Sequence, residues 1–249
     1  MILSRIKKAL ADQNWLAVAI EFLIVILGVL LAFQISQYAE NRTEVRRAED
    51  LLQLVEAEMT ESLTYIHRHA ENLERQSTEL LELRQSLAGF GPDTDTTRLD
   101  YLATQAFSAP ELELYRSASL QLDNAVVQRL IQGTEVEQAL RQWQLELANL
   151  RDTEHNIEST MGDGDGDGRV PFPGLSKESL VAAFPDIGLL EEVPVRFPSD
   201  WEALSEDGDF AGLLALVSLN IEFAWFVTNR LEERTQTLLQ ALHDREESR

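Results

Sequence analysis

The densest run of oxygen-bearing side chains in this chain is Asp163-Gly164-Asp165-Gly166-Asp167-Gly168-Arg169-Val170. Hard cations such as calcium take several oxygens at about 2.3–2.6 Å, and aspartates at alternate positions with a glycine after the third can wrap a chain around such an ion. The spacing matches an EF-hand-type loop, with Asp163, Asp165 and Asp167 as side-chain ligands and Arg169 offering its backbone carbonyl. Val170 falls at the apolar position of that loop, but Gly174 stands where the bidentate glutamate belongs. A calcium site here needs a carboxylate from elsewhere. The same residues also read as an acidic glycine linker, and both readings stand at this point.

The second residue of chemical interest is Glu21, because of where it lies. The run Trp15 to Phe33 is WLAVAIEFLIVILGVLLAF, 19 residues with one charge. At about 1.5 Å per residue such a helix crosses a hydrocarbon core of roughly 30 Å. Trp15 and Tyr38 flank it, where amphipathic rings settle among headgroups. The run is too long for the apolar part of a signal peptide, and no small-x-small cleavage site precedes its polar exit, so a retained anchor is expected. An ionisable group inside such a span costs a few kcal/mol against lipid and should face protein or water. Gly28 and Ala32 follow Glu21 by seven and eleven residues, which returns all three to one helix face. Gly28-x-x-x-Ala32 lets another helix approach closely. The expectation is an association face made of Glu21, Gly28 and Ala32; the plainer alternative is a glutamate snorkelling to the interface.

Arg5, Lys7 and Lys8 precede the span, while Arg42, Arg46 and Arg47 follow it. The short N-terminal segment is the easier one to retain. The expected placement is a bacterial inner membrane crossed once, with the N-terminus cytoplasmic and the bulk of the chain periplasmic.

The remaining composition mostly excludes. Residues 1–40 hold three basic and three acidic side chains, so the whole net charge of −22 lies beyond them. A surface this acidic repels phosphate backbones, and no nucleic-acid partner is expected. With no cysteine, thiol catalysis and Cys-ligated metals are excluded. No phosphate-binding glycine loop, dinucleotide fingerprint or Gly-x-Ser-x-Gly occurs, and the four histidines do not gather at ligand spacing. Carboxylates such as Glu56, Glu58 and Glu61 read as a solvated helix face, and no catalysis is expected.

These residues need elements to position them. From Val29 to Ala88 there is neither glycine nor proline, and apolar residues recur from Val45 to Leu87 in steps of three and four. That spacing predicts one long amphipathic helix leaving the membrane, with Ser62, His69 and Gln76 as polar interruptions of its apolar seam. Thr97-Arg98-Leu99-Asp100 can cap a short helix to about Phe107. Ser108-Ala109-Pro110-Glu111 has the Ser-x-x-Glu box of a second, to about Gln132. Gly133 reads as a kink, after which Thr134-Glu135-Val136-Glu137 restarts or continues a helix to about Thr160. Residues 161–200 hold five of the seven prolines and read as a linker with one short helix at Lys177–Ala183. Residues 201–249 read as a long C-terminal bundle helix. Its stretch Phe210 to Thr228 is also apolar, but Asn220 and Glu222 near the centre favour a core helix over a second span. The organisation is therefore a basic segment (1–14), a transmembrane helix (15–35), bundle helices (36–160), a linker (161–200) and a last helix (201–249). The fold class is all-α, a membrane helix continuing into an antiparallel helical bundle.

Glu21, six apolar residues, Gly28, Ala32, Gln34-Ile35, Tyr38 and Glu40-Asn41-Arg42, in that order, resemble an uncharacterised family of small bacterial membrane proteins, known only as a domain of unknown function. Leu130-Ile131, Val136, Leu140-Arg141 and Trp143 resemble its mid-domain pattern. Tyr38 replaces the usual tryptophan, and the Ser-Ser-Gly before the mid-domain Leu-Ile is missing. The resemblance implies the architecture and no activity. Three roles follow as expectations. The first is a membrane-anchored scaffold that associates with itself or another membrane protein. The second is a periplasmic sensor of calcium or a small ligand, and the third an accessory subunit of an ion-conducting complex.

Overall fold

The structure, a computed structural model, describes residues 15–108, 111–122, 124–160, 174–176 and 198–248. All regular structure among them is helical. The first helix, α1, runs without a break from Trp15 to Ala88, 74 residues and so roughly 110 Å. It ends where Gly89 and Gly91-Pro92 first interrupt the helix formers. α2 (Thr96–Ala106) follows, then a single 3₁₀ turn (Ser119–Gln121), α3 (Ala125–Ile131), α4 (Glu135–Thr160), α5 (Trp201–Glu206) and α6 (Gly208–Glu247).

The core is built on two uninterrupted heptad seams. On α1 the buried seam runs through Ala48, Leu52, Val55, Met59, Ser62, Ile66, His69, Leu73, Gln76, Leu80, Leu83 and Leu87, alternating steps of four and three, with Glu58 and Ala70 buried beside it. On α6 it runs through Phe210, Leu214, Val217, Ile221, Ala224, Thr228, Leu231, Thr235, Leu238 and Leu242 with the same alternation, and Ser218, Val227 and Ala241 are buried beside it. A strict 3.5-residue repeat keeps each seam facing its partner along the whole length. The two helices are antiparallel: Gln53 donates to Glu246 at 3.0 Å, and His67 lies 3.6 Å from Glu232. α4 is also antiparallel to α6, since the Trp143 indole donates to Thr235 and Asn220 donates to Thr160, both at 3.0 Å. α6 therefore lies between two helices that both point away from the N-terminal run.

Several local expectations need correction. The cap of α2 is Asp95, whose side chain accepts from the Thr97 and Arg98 amides, and not the Thr97–Asp100 stretch. The Ser108-x-x-Glu111 box opens no helix: residues 111–116 have no regular secondary structure, and only Ala125–Ile131 of the expected α-helix forms. The reason is distance. Gln76 receives the chain at Ser108, and Glu58 receives it at Ala118. Those two receivers are 18 residues apart on α1, roughly 27 Å. Ten residues span only about 15 Å as a helix, but about 33 Å when extended. Gly133, at φ +74°, is a full break between α3 and α4. The last helical region is two helices, because extended Asp207 caps α6 by accepting from the Asp209 and Phe210 amides. The short helix expected at Lys177–Ala183 lies outside the described residues.

Candidate functional site

Glu21, Gly28 and Ala32 lie on one continuous helix, with Gly28 and Ala32 each about 20° around its axis from Glu21, on either side. All three are exposed, and a side chain at Gly28 would meet nothing within 4 Å. Around them every large apolar side chain from Ile20 to Phe33 is bare, Ile26 the least at 41% and Phe22 the most at 66%. A soluble helix does not leave so much apolar surface on all sides, so this stretch needs lipid or protein around it. Asp163, Asp165, Asp167 and Arg169 lie outside the described residues. Among those described, no three His, Asp or Glu side chains converge as a metal site would need.

Sequence reasoning missed how the chain returns along the bundle. Gln76, a polar interruption of the α1 seam, acts with Glu58 beside the seam and Glu154 of α4 to hold a strap, residues 111–116. Gln76 donates to the carbonyls of Gln105 and Ser108, both at 2.8 Å, at the upper end. Glu58 is 7% exposed and its carboxylate accepts from the amides of Ala118 at 2.7 Å and Ser119 at 3.1 Å, at the lower end. Between them Glu154 of α4 accepts from the Leu112 amide at 2.8 Å. Backbone that leaves a helix must find partners elsewhere, and carboxylates give the strongest ones. Glu58 is therefore not part of a solvated face, as its sequence neighbours had indicated. The signal available was a carboxylate one position from a core heptad residue, Met59.

His69 lies under the strap, 6% exposed, 3.4 Å from Glu154, yet its Nε2 has no hydrogen-bond partner among the described residues. Burial lowers its pKa to about 4, so it is a neutral imidazole at neutral pH and the contact is not an ion pair. Burial pushes the Glu154 carboxyl up, against the pull of the Leu112 amide. Arg116 stacks over the Trp143 ring, 5.4 Å from its centre, and burial lowers its pKa. Two open grooves flank the strap. One, about 560 Å³, is lined by Tyr65, Arg68, His69 and Asn72; the other, about 660 Å³, by Arg151, Glu154, His155 and Glu158. Both mix charges of either sign.

The apolar stretch of α6 divides between two faces. Its seam residues are buried, and two of its polar groups are bonded inside the chain: Ser218 donates to the Leu214 carbonyl at 2.8 Å and Asn220 to Thr160. The opposite face carries Leu216, Leu219, Phe223 and Phe226, between 48% and 62% exposed. No family model, no curated protein and no solved structure matches this chain.

Proposed function

We propose that this chain is a single-pass bacterial inner-membrane scaffold. Residues 15–33 anchor it, the N-terminus stays in the cytoplasm, and the bundle stands in the periplasm as a rigid post. Its role is protein association, with Glu21, Gly28 and Ala32 as the face that meets another copy or another membrane protein. The resemblance carried by Glu21, Gly28, Ala32 and the residues after them agrees with this architecture.

One observation carries the single-pass reading. The antiparallel pairing of Gln53 with Glu246 and of His67 with Glu232 sets Phe210–Thr228 level with about residues 71–89 of α1. Those residues begin 38 positions beyond Phe33, about 57 Å along the helix. A second apolar run held that far from the first cannot enter the same 30 Å hydrocarbon layer while the bundle is folded.

A reporter active only in the periplasm, fused after Arg249, tests this. It is expected to be active, with the chain resisting carbonate extraction from membranes. An inactive reporter at Arg249 together with an active one in the 161–200 region would replace the post by a two-pass protein.

A further inference from the structure

We propose that the outer face of α6 is a second self-association surface, at which two copies anchored in one membrane pack their α6 helices side by side and parallel. The inference rests on the anchored reading above for the parallel geometry, and on four observations for the rest.

First, Gly212, Leu216, Leu219, Phe223 and Phe226 repeat in steps of four, three, four and three. They lie within a band of about 80° and about 160° around the helix from the buried seam. This is the repeat that packs helix on helix, and α6 already uses it on its inner side. Second, the repeat stops where it is no longer needed. Arg230, Glu233, Thr237 and Gln240 continue the same face with polar side chains. Third, charge selects a second copy as the occupant. The chain carries −22 in total, yet from Phe210 to Asn229 it holds a single charge, Glu222. Two such acidic molecules can approach closely along this stretch with the least repulsion.

The fourth observation is area. Four half-exposed Leu and Phe side chains offer on the order of 400 Å² per copy, about half of what a freely diffusing stable dimer covers on each partner. Tethering compensates, because two anchored posts meet at a high effective concentration and already aligned. The dimer should exist in membranes and dissociate in dilute detergent.

The chain has no cysteine, so single thiols can report the contact in the full-length protein in native membranes. Leu219→Cys and Phe223→Cys should give disulfide-linked dimers on mild oxidation. Leu81→Cys, level with Leu219 but on α1 and 52% exposed, should give only background. Adding Phe223→Glu to Leu219→Cys should return the dimer to that background while helicity stays unchanged, since the site is on the surface. Crosslinking at Leu219→Cys no greater than at Leu81→Cys overturns the proposal. Rapid maleimide labelling would then mean a bare face, and protection from the reagent a different occupant. Loss of the chain from the carbonate-resistant fraction would instead overturn the anchor, which keeps the two failures apart.

Discussion

The chain contains two apolar runs of the same length and similar composition, and they end up in opposite situations. The first, in α1, has a mean hydropathy of 2.4 and nothing buried; the second, in α6, has 1.8 and 33% buried. Hydropathy separates them only weakly. What separates them is whether the helix keeps one face packed inside the fold. Ser218 and Asn220 are satisfied by Leu214 and Thr160 of the same molecule, and the apolar residues around them keep a buried heptad seam. Glu21 has no such partner among the described residues, and the apolar residues around it expose every side of the helix. A run that keeps a buried apolar seam against its neighbours is a core helix. One bare on every side needs another medium.

The most drastic way to break this contrast is to charge both runs equally. Leu27→Arg with Leu30→Arg places two cations near the middle of the proposed anchor, at roughly 2.5–3.5 kcal/mol each on an insertion scale. Membrane fractionation should find the chain released. Leu216→Arg with Leu219→Arg, on the exposed face of α6, should leave the membrane fraction unchanged. Equal release by both pairs would erase the distinction between the runs.

Within α6 the contrast sharpens to two faces of one helix. Phe210 is fully buried against Phe107 and Trp201, with ring centres 6.5 Å away in each case. Phe210→Ala should destabilise the bundle by about 3–5 kcal/mol. Phe223→Ala, on the outer face, should stay within about 0.5 kcal/mol. Urea denaturation followed by tryptophan fluorescence, with the chain in detergent, measures both. A Phe223→Ala loss as large as that of Phe210→Ala would mean the outer face is already covered within the molecule.

Much of this was legible in the sequence. Sixty residues free of glycine and proline, with apolar steps of three and four, could hardly be anything but α1. The Asn220 and Glu222 objection to a second span also pointed to the core helix observed. The strap was not legible, for a definite reason. Ser108, Pro110 and Glu111 are good helix-start residues locally, and Glu111-Leu112-Glu113-Leu114 offers only two periods of strand-like alternation. The non-helical form follows from the distance between Gln76 and Glu58 along α1, which only the assembled bundle fixes. The split at Asp207 had a visible cue, a capping aspartate followed by glycine, hidden within a proline-free stretch.

The smallest effect concerns His69, a polar residue of the α1 seam. Ser62 and Gln76 are small or bonded, but His69 is buried with its Nε2 unpaired among the described residues. Its pKa falls from 6.5 to about 4 on folding, because the buried imidazole resists a charge. Between those values the unfolded chain takes up a proton that the folded chain refuses, so stability falls as the pH falls. From pH 7 to pH 5 the loss is about 2 kcal/mol. The groups facing His69 are Arg68 on its own helix, Glu111 and Glu113 on the strap, and Glu154 on α4. Glu154 acts in the opposite sense: its raised pKa lets the folded state hold a proton longer, which offsets part of the loss in acid. His69→Leu isolates the imidazole, filling the seam with an apolar side chain of similar size. The variant should gain about 2 kcal/mol on the wild type between pH 7 and pH 5, read from the urea midpoints of the two proteins at each pH. A difference between them that stays constant with pH would mean that His69 is protonated as readily in the bundle as in the unfolded chain, and that the strap leaves it open to water.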